Sequence, residues 1–109
     1  MPDNSDPERS ATRVTREAAR QLRDGGAIVN LSASAVGSAL PTYATTTVAI
    51  DALTRVLSLE LLDRDITVNA VSVEVDKPCI PERIAEVIAY LLSDEGHAIT
   101  GEVIRIDDP

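Results

Sequence analysis

Tyr43 stands near the head of the stretch PTYATTTVAIDALTR, and whether its phenol could move a proton depends on its surroundings. An unperturbed phenol titrates near pH 10, so at pH 7 its anion is disfavoured by about 4 kcal/mol unless a cation stands close. Thr47, four residues on, has no charge to offer. The one lysine of the chain, Lys77, lies in the proline-punctuated stretch EVDKPCIP on the same carboxyl edge as Tyr43; a solvated loop lysine is its ordinary reading. Ser32 and Ser34 follow a β-rich run, and satisfying loop backbone groups is their plain role. Cys79, between Pro78 and Ile80, has no activating neighbour in sequence and reads as a small packing residue.

The single histidine, His97, argues against a histidine-based metal centre or a Ser-His-Asp triad, and reads as a surface residue in a turn. One cysteine excludes an internal disulfide and a multi-thiolate zinc site. Asp94-Glu95 and Asp107-Asp108 lack an ordered ligand spacing and read as solvated acidic ends. A net charge of −8 argues against a nucleic-acid backbone or an anionic membrane as partner. No apolar run approaches the roughly 20 residues of a membrane span, and the opening MPDNSDPERS lacks the pattern of a signal peptide. A cytoplasmic location is the expectation.

The elements that would position these residues alternate. Residues 1–6 form a polar leader, and a helix begins with Asp6 as N-cap and Pro7 in the first helical position, running to about Arg23 before the stop DGG. Arg9, Arg13, Arg16, Arg20 and Arg23 line one stripe of it, a solvated face partly paired with Glu17. GAIVNLSA is a buried strand, and SAVGSALPTY is a loop of small residues. From about Tyr43 to Asp63 a helix carries so many apolar residues that it should be buried on more than one side. ITVNAVSV is the second strand, PERIAEVIAYLL the third helix, and EVIRID the last strand. Asn30 and Asn69, at similar places in two strands, are expected to bond backbone at the sheet edge. With only two aromatic residues, the core must be built from Val, Ile, Leu and Ala, as in parallel strands covered by helices. The order α-β-α-β-α-β predicts an α/β fold of three layers, about three parallel strands with helices on both faces, in one domain over residues 7–109.

REAARQLRDGGAIVNLSASAVGSALPTYATTTVAIDALTRVLSLELLDRDITVNAVSV and PERIAEVIAYLLSDEGHAITGEVIRID together resemble the second half of short-chain dehydrogenases/reductases. The resemblance implies a partial Rossmann-type sheet, an NAD(P) cofactor, and hydride transfer to or from a carbonyl carbon. It also implies a catalytic set of Asn, Ser, Tyr and Lys. Carried over by residue, Tyr43 matches the catalytic tyrosine and Ser34, or less well Ser32, the serine. Thr47 stands where the family has lysine, and the asparagine position falls near Pro7. Ser34 precedes Tyr43 by fewer residues than the family spacing. Val73-Glu74 replaces the Pro-Gly that borders the nicotinamide, and the substrate-covering segment after it is nearly absent.

The glycine-rich phosphate cradle belongs to the family's first half, and Gly25, Gly26, Gly37, Gly96 and Gly101 make no such motif. The expectation is therefore a truncated, degenerate relative without stand-alone oxidoreductase activity, acting as an oligomerising or scaffold remnant. No cofactor is expected for the isolated chain, and NAD(P) if another chain completes it. Homo-oligomers, or hetero-oligomers with a subunit of the same family, are the expected assemblies. Two alternatives stay open: a short-chain oxidoreductase completed by another chain, and non-redox ligand binding or catalysis in a remnant cleft around Ser34, Tyr43 and Lys77.

Overall fold

The computed structural model describes residues 7–34, 41–74 and 80–106, with side chains over 9–32, 48–74 and 80–106. The leader, Lys77 and Cys79 lie outside the described residues. Helix α1 spans Pro7–Gln21, strand β1 Ala27–Ser34, helix α2 Pro41–Glu60, strand β2 Thr67–Glu74, helix α3 Pro81–Leu92 and strand β3 Val103–Ile106. The three strands form one parallel sheet in the order β1-β2-β3. Helices α1 and α2 pack on each other, α2 lies along β1 and β2, and α3 packs on the same two strands.

The central strand explains the layering. Every side chain of β2 is buried except the half-buried Val73, because both faces are covered. Val68 joins Leu57 of α2 and Ile66 in the core, with Leu22, Ile28, Leu53 and Leu61 packed around them. Strand alternation sends Asn69 and Val71 to the opposite face, and α3 contributes the fully buried Leu91.

Helix α2 departs from its expected bounds at both ends. It begins two residues before Tyr43 because Pro41 is pre-set for the first helical turn. It ends at Glu60, where the chain tightens into a 3-10 turn, Leu62–Arg64. Asp65 then takes a left-handed φ of 56° and its N–H caps Leu62 O. Nor is α2 buried on more than one side over its described side chains, 48–60. Ile50, Thr54, Leu57 and Ser58 are buried, whereas Val48, Val56 and Leu59 are exposed.

The amino end of the sheet is held by Arg64, which sequence reading passed over, and by Asn69. Arg64 donates to Ala19 O at 2.6 Å, to Leu22 O at 2.5 Å and to Asp24 Oδ1 at 2.9 Å, which satisfies carbonyls left open by the end of α1. Asn69 behaves as expected: its Nδ2 donates to Ile99 O and its Oδ1 accepts from Glu102 N, at 2.9 and 3.0 Å. Gly101 has φ 78°, and a Cβ there would stand 2.8 Å from Ser58 Oγ, so only glycine lets this turn close onto α2.

Candidate functional site

The residues singled out for chemistry belong to the carboxyl edge of the sheet. Ser34 is the last residue of β1, in register with Glu74, the last residue of β2. Tyr43 and Thr47 sit in the first turns of α2, one helical turn apart. The side chains of Ser34, Tyr43 and Thr47 lie outside the described residues, as does that of Pro7. Their approach to one another is therefore a matter of backbone placement: strand end and helix start.

Ser32 is a correction to the sequence reading. It lies inside β1 rather than in a loop, is 2% exposed, and its Oγ has no hydrogen-bond partner among the described residues. Ser72 stands opposite it on β2 and is also buried. Asn30 does not reach across the sheet edge as Asn69 does. Its Oδ1 lies 3.3 Å from the hydroxyl of Thr15, on α1, and that hydroxyl also donates to Ala11 O at 2.7 Å.

Glu74 is the most informative residue here. Its side chain is 3% exposed and forms an ion pair with half-exposed Arg105 of β3. Strand alternation places Ser72, Glu74 and Arg105 on one face, because Arg105 is in register with Ser72. Taking a carboxylate out of water costs several kcal/mol, and an arginine partner offsets much of that cost. The carboxyl edge thus carries an ion pair between neighbouring strands.

On α2, burial pushes the Asp51 carboxyl above its ordinary value, and the guanidinium of Arg55 pulls it part of the way back. Asp51 Oδ1 is buried without a hydrogen-bond partner among the described residues. His97 is half-buried rather than fully exposed, with its Nε2 3.1 Å from Asp65 Oδ2. The arginine stripe of α1 is a solvated face where it is described: Arg20 pairs with Glu17 at 3.1 Å, and Arg16 reaches Glu60 of α2 at 3.2 Å. Among the described residues, no three His, Cys, Asp or Glu side chains gather as a cation site. No helix there is long and apolar enough to cross a membrane.

Comparison with known proteins resolves the ancestry. The family described as Enoyl-(Acyl carrier protein) reductase matches residues 8–77. The chain belongs to the short-chain dehydrogenase/reductase family. An uncharacterised oxidoreductase of Methylorubrum extorquens is 32% identical over 84% of this chain and 49% of its own length. A short-chain type dehydrogenase/reductase of Picea abies is 30% identical over 85% of this chain and 45% of its own. Among solved structures, LugOII, a promiscuous reductase that catalyses keto-reduction at C1 during lugdunomycin biosynthesis, superposes with a TM-score of 0.78. It is 28% identical, over 91% of this chain and 44% of that one. The chain spans about half the length of the curated relatives it matches. The α/β fold with three parallel strands is that of short-chain dehydrogenase/reductase neighbours.

The Arg64 clamp and the Glu74–Arg105 pair were missed in sequence because each joins residues far apart in the chain. The available signal for the second was Glu74 itself, a carboxylate closing an otherwise apolar strand.

Proposed function

We propose that this chain is a short-chain dehydrogenase/reductase fragment without stand-alone oxidoreductase activity, acting as an oligomerising or scaffold element. The family uses a nicotinamide dinucleotide, and its chemistry rests on a tyrosine kept acidic by a neighbouring lysine. Here Ser34 and Tyr43 keep the matching positions, while Thr47 supplies no positive charge to lower the pKa of the phenol. Lys77 would have to serve instead from another segment.

The observation that carries the reading is the outer face of α2. Val48, Val56 and Leu59, on one helical stripe with Ala52, are exposed, Leu59 by 70%, and Leu62 continues the stripe. Valine and leucine in a row on a helix surface mark a binding face rather than a solvated one. The partner this face suits is a second helix of like pattern, from another copy or from a full-length relative.

The experiment is a titration of the purified chain with NADH and NADPH, followed by fluorescence, together with sedimentation. The reading expects no saturable change and an assembly larger than a monomer. A second reading, hydride transfer by a chain completed from another polypeptide, is favoured by the half-length match to working reductases. It requires a co-purifying relative, and turnover that a Tyr43→Phe change abolishes.

A further inference from the structure

The turn between α1 and β1 contains the chain's one Asp-Gly step, Asp24-Gly25. At such a step the backbone can attack its own side chain, because glycine puts no Cβ in the path of the ring that forms. Gly25 N bonds to Asp24 Cγ, and a carboxyl hydroxyl leaves with the amide hydrogen as water. A five-membered succinimide results. Water then adds to either ring carbonyl, restoring aspartate or giving isoaspartate, in which Cβ has entered the main chain. The net change is an isomerisation that needs no reagent but water.

Here one residue holds both partners of that step. Gly25 N donates to Arg64 O at 2.9 Å, and Asp24 Oδ1 accepts from Arg64 Nε at 2.9 Å. The guanidinium is itself anchored, with Nη1 on Ala19 O and Nη2 on Leu22 O. Around them Gly26 N donates to Arg23 O at 3.1 Å, and Gly25 takes a φ of 85°, which closes the turn. An imide nitrogen carries no hydrogen, so ring closure forfeits the bond from Gly25 to Arg64 O outright. The neutral ring also leaves the guanidinium no carboxylate to hold. Burial offers no protection, since the Asp24 side chain is 74% exposed. Only the hydrogen bonds stand in the way.

We propose that Asp24-Gly25 is a latent isomerisation site, kept closed in the folded chain by the Arg64 clamp. Isoaspartate there lengthens the main chain by one atom directly before Gly26, whose O accepts from Thr67 N at 3.1 Å. The next residues, Ala27 and Thr67, begin the register of β1 with β2. A chain modified at Asp24 is therefore altered where its sheet starts. Arg64 thus has a chemical role besides closing the end of α1, and that role requires no statement about catalysis or assembly.

Warm incubation of the 109-residue chain at pH 7 tests this, with isoaspartate at residue 24 read by electron-transfer fragmentation. The folded parent should accumulate it roughly tenfold or more slowly than the same chain in denaturant, as for any step gated by local opening. Arg64→Met keeps the main-chain carbonyl and removes the guanidinium. It should retain the parent's circular dichroism and isomerise roughly tenfold faster, the size expected when hydrogen bonds to a charged group are lost. Exchange of the Gly25 amide hydrogen needs no variant, and in the parent it should be slowed by roughly tenfold or more relative to the unfolded chain. A folded parent that isomerises as fast as the denatured chain overturns the proposal. So does a folded Arg64→Met chain that isomerises no faster than the parent, or a Gly25 amide that exchanges at the unfolded rate.

Discussion

The two ends of the sheet are held differently, although each buries a hydroxyl without a partner among the described residues, Thr67 Oγ1 at the amino end and Ser32 Oγ towards the carboxyl end. At the amino end, Arg64 fills the open carbonyls of α1, Asn69 holds both sides of the turn into β3, and Thr100 Oγ1 accepts from Val68 N at 3.1 Å. At the carboxyl end, Ser32 Oγ is buried without a partner among the described residues, and a buried carboxylate is matched by an arginine that is half in water. The amino end does the work of any folded domain, closing turns that would otherwise expose backbone. The carboxyl end is where Ser34 closes β1 and Tyr43 stands in the first turn of α2, the residues proposed for the site.

That contrast can be broken by substitution. The largest effect is expected at Asn69, which is fully buried: Asn69→Leu strands Ile99 O and Glu102 N and should cost about 2–4 kcal/mol in denaturant unfolding. Arg105→Ala should cost less, about 1–3 kcal/mol, because it leaves Glu74 buried without that ion pair, while half of the arginine is already solvated. Ser32→Ala, measured at dilutions where the chain is monomeric, should change stability by about 0.5 kcal/mol or less, or raise it, since no hydrogen bond of the described chain is lost. If Ser32→Ala proved as costly as Asn69→Leu, the difference between the two ends would vanish.

The smallest effect concerns pH. Asp51 in the unfolded chain titrates near 3.8, and burial raises its folded value above that. Between the two values the folded chain holds a proton that the unfolded chain has lost, so stability falls as pH rises through that window. The deficit is complete above the folded value. Asp51→Asn removes it, so the variant should melt higher than the parent at pH 7, and the gain should shrink as the pH is lowered towards 3.8. A gain independent of pH would point to packing instead.

Much of this was legible in the sequence. Pro81 and the apolar spacing of PERIAEVIAYLL fix α3 at its observed bounds, and the order of elements yields the parallel sheet. The end of α2 was misjudged because Leu61 and Leu62 continue its apolar run, whereas the left-handed Asp65 that stops the segment gives no composition signal. The Arg64 clamp depends on α1 arriving beside a residue more than 40 positions later, and the Glu74–Arg105 pair on the register of neighbouring strands. No local pattern encodes either. Ser34 and Tyr43 were singled out through family resemblance alone; strand and helix assignments place their backbones and say nothing of their chemistry.

Nicotinamide turnover tests the central claim most directly. The purified chain, incubated with NAD or NADP and a panel of small alcohols, should show no absorbance rise from reduced coenzyme above a Tyr43→Phe control. Saturable reduction of either coenzyme by the parent chain alone, lost in that control, would contradict it.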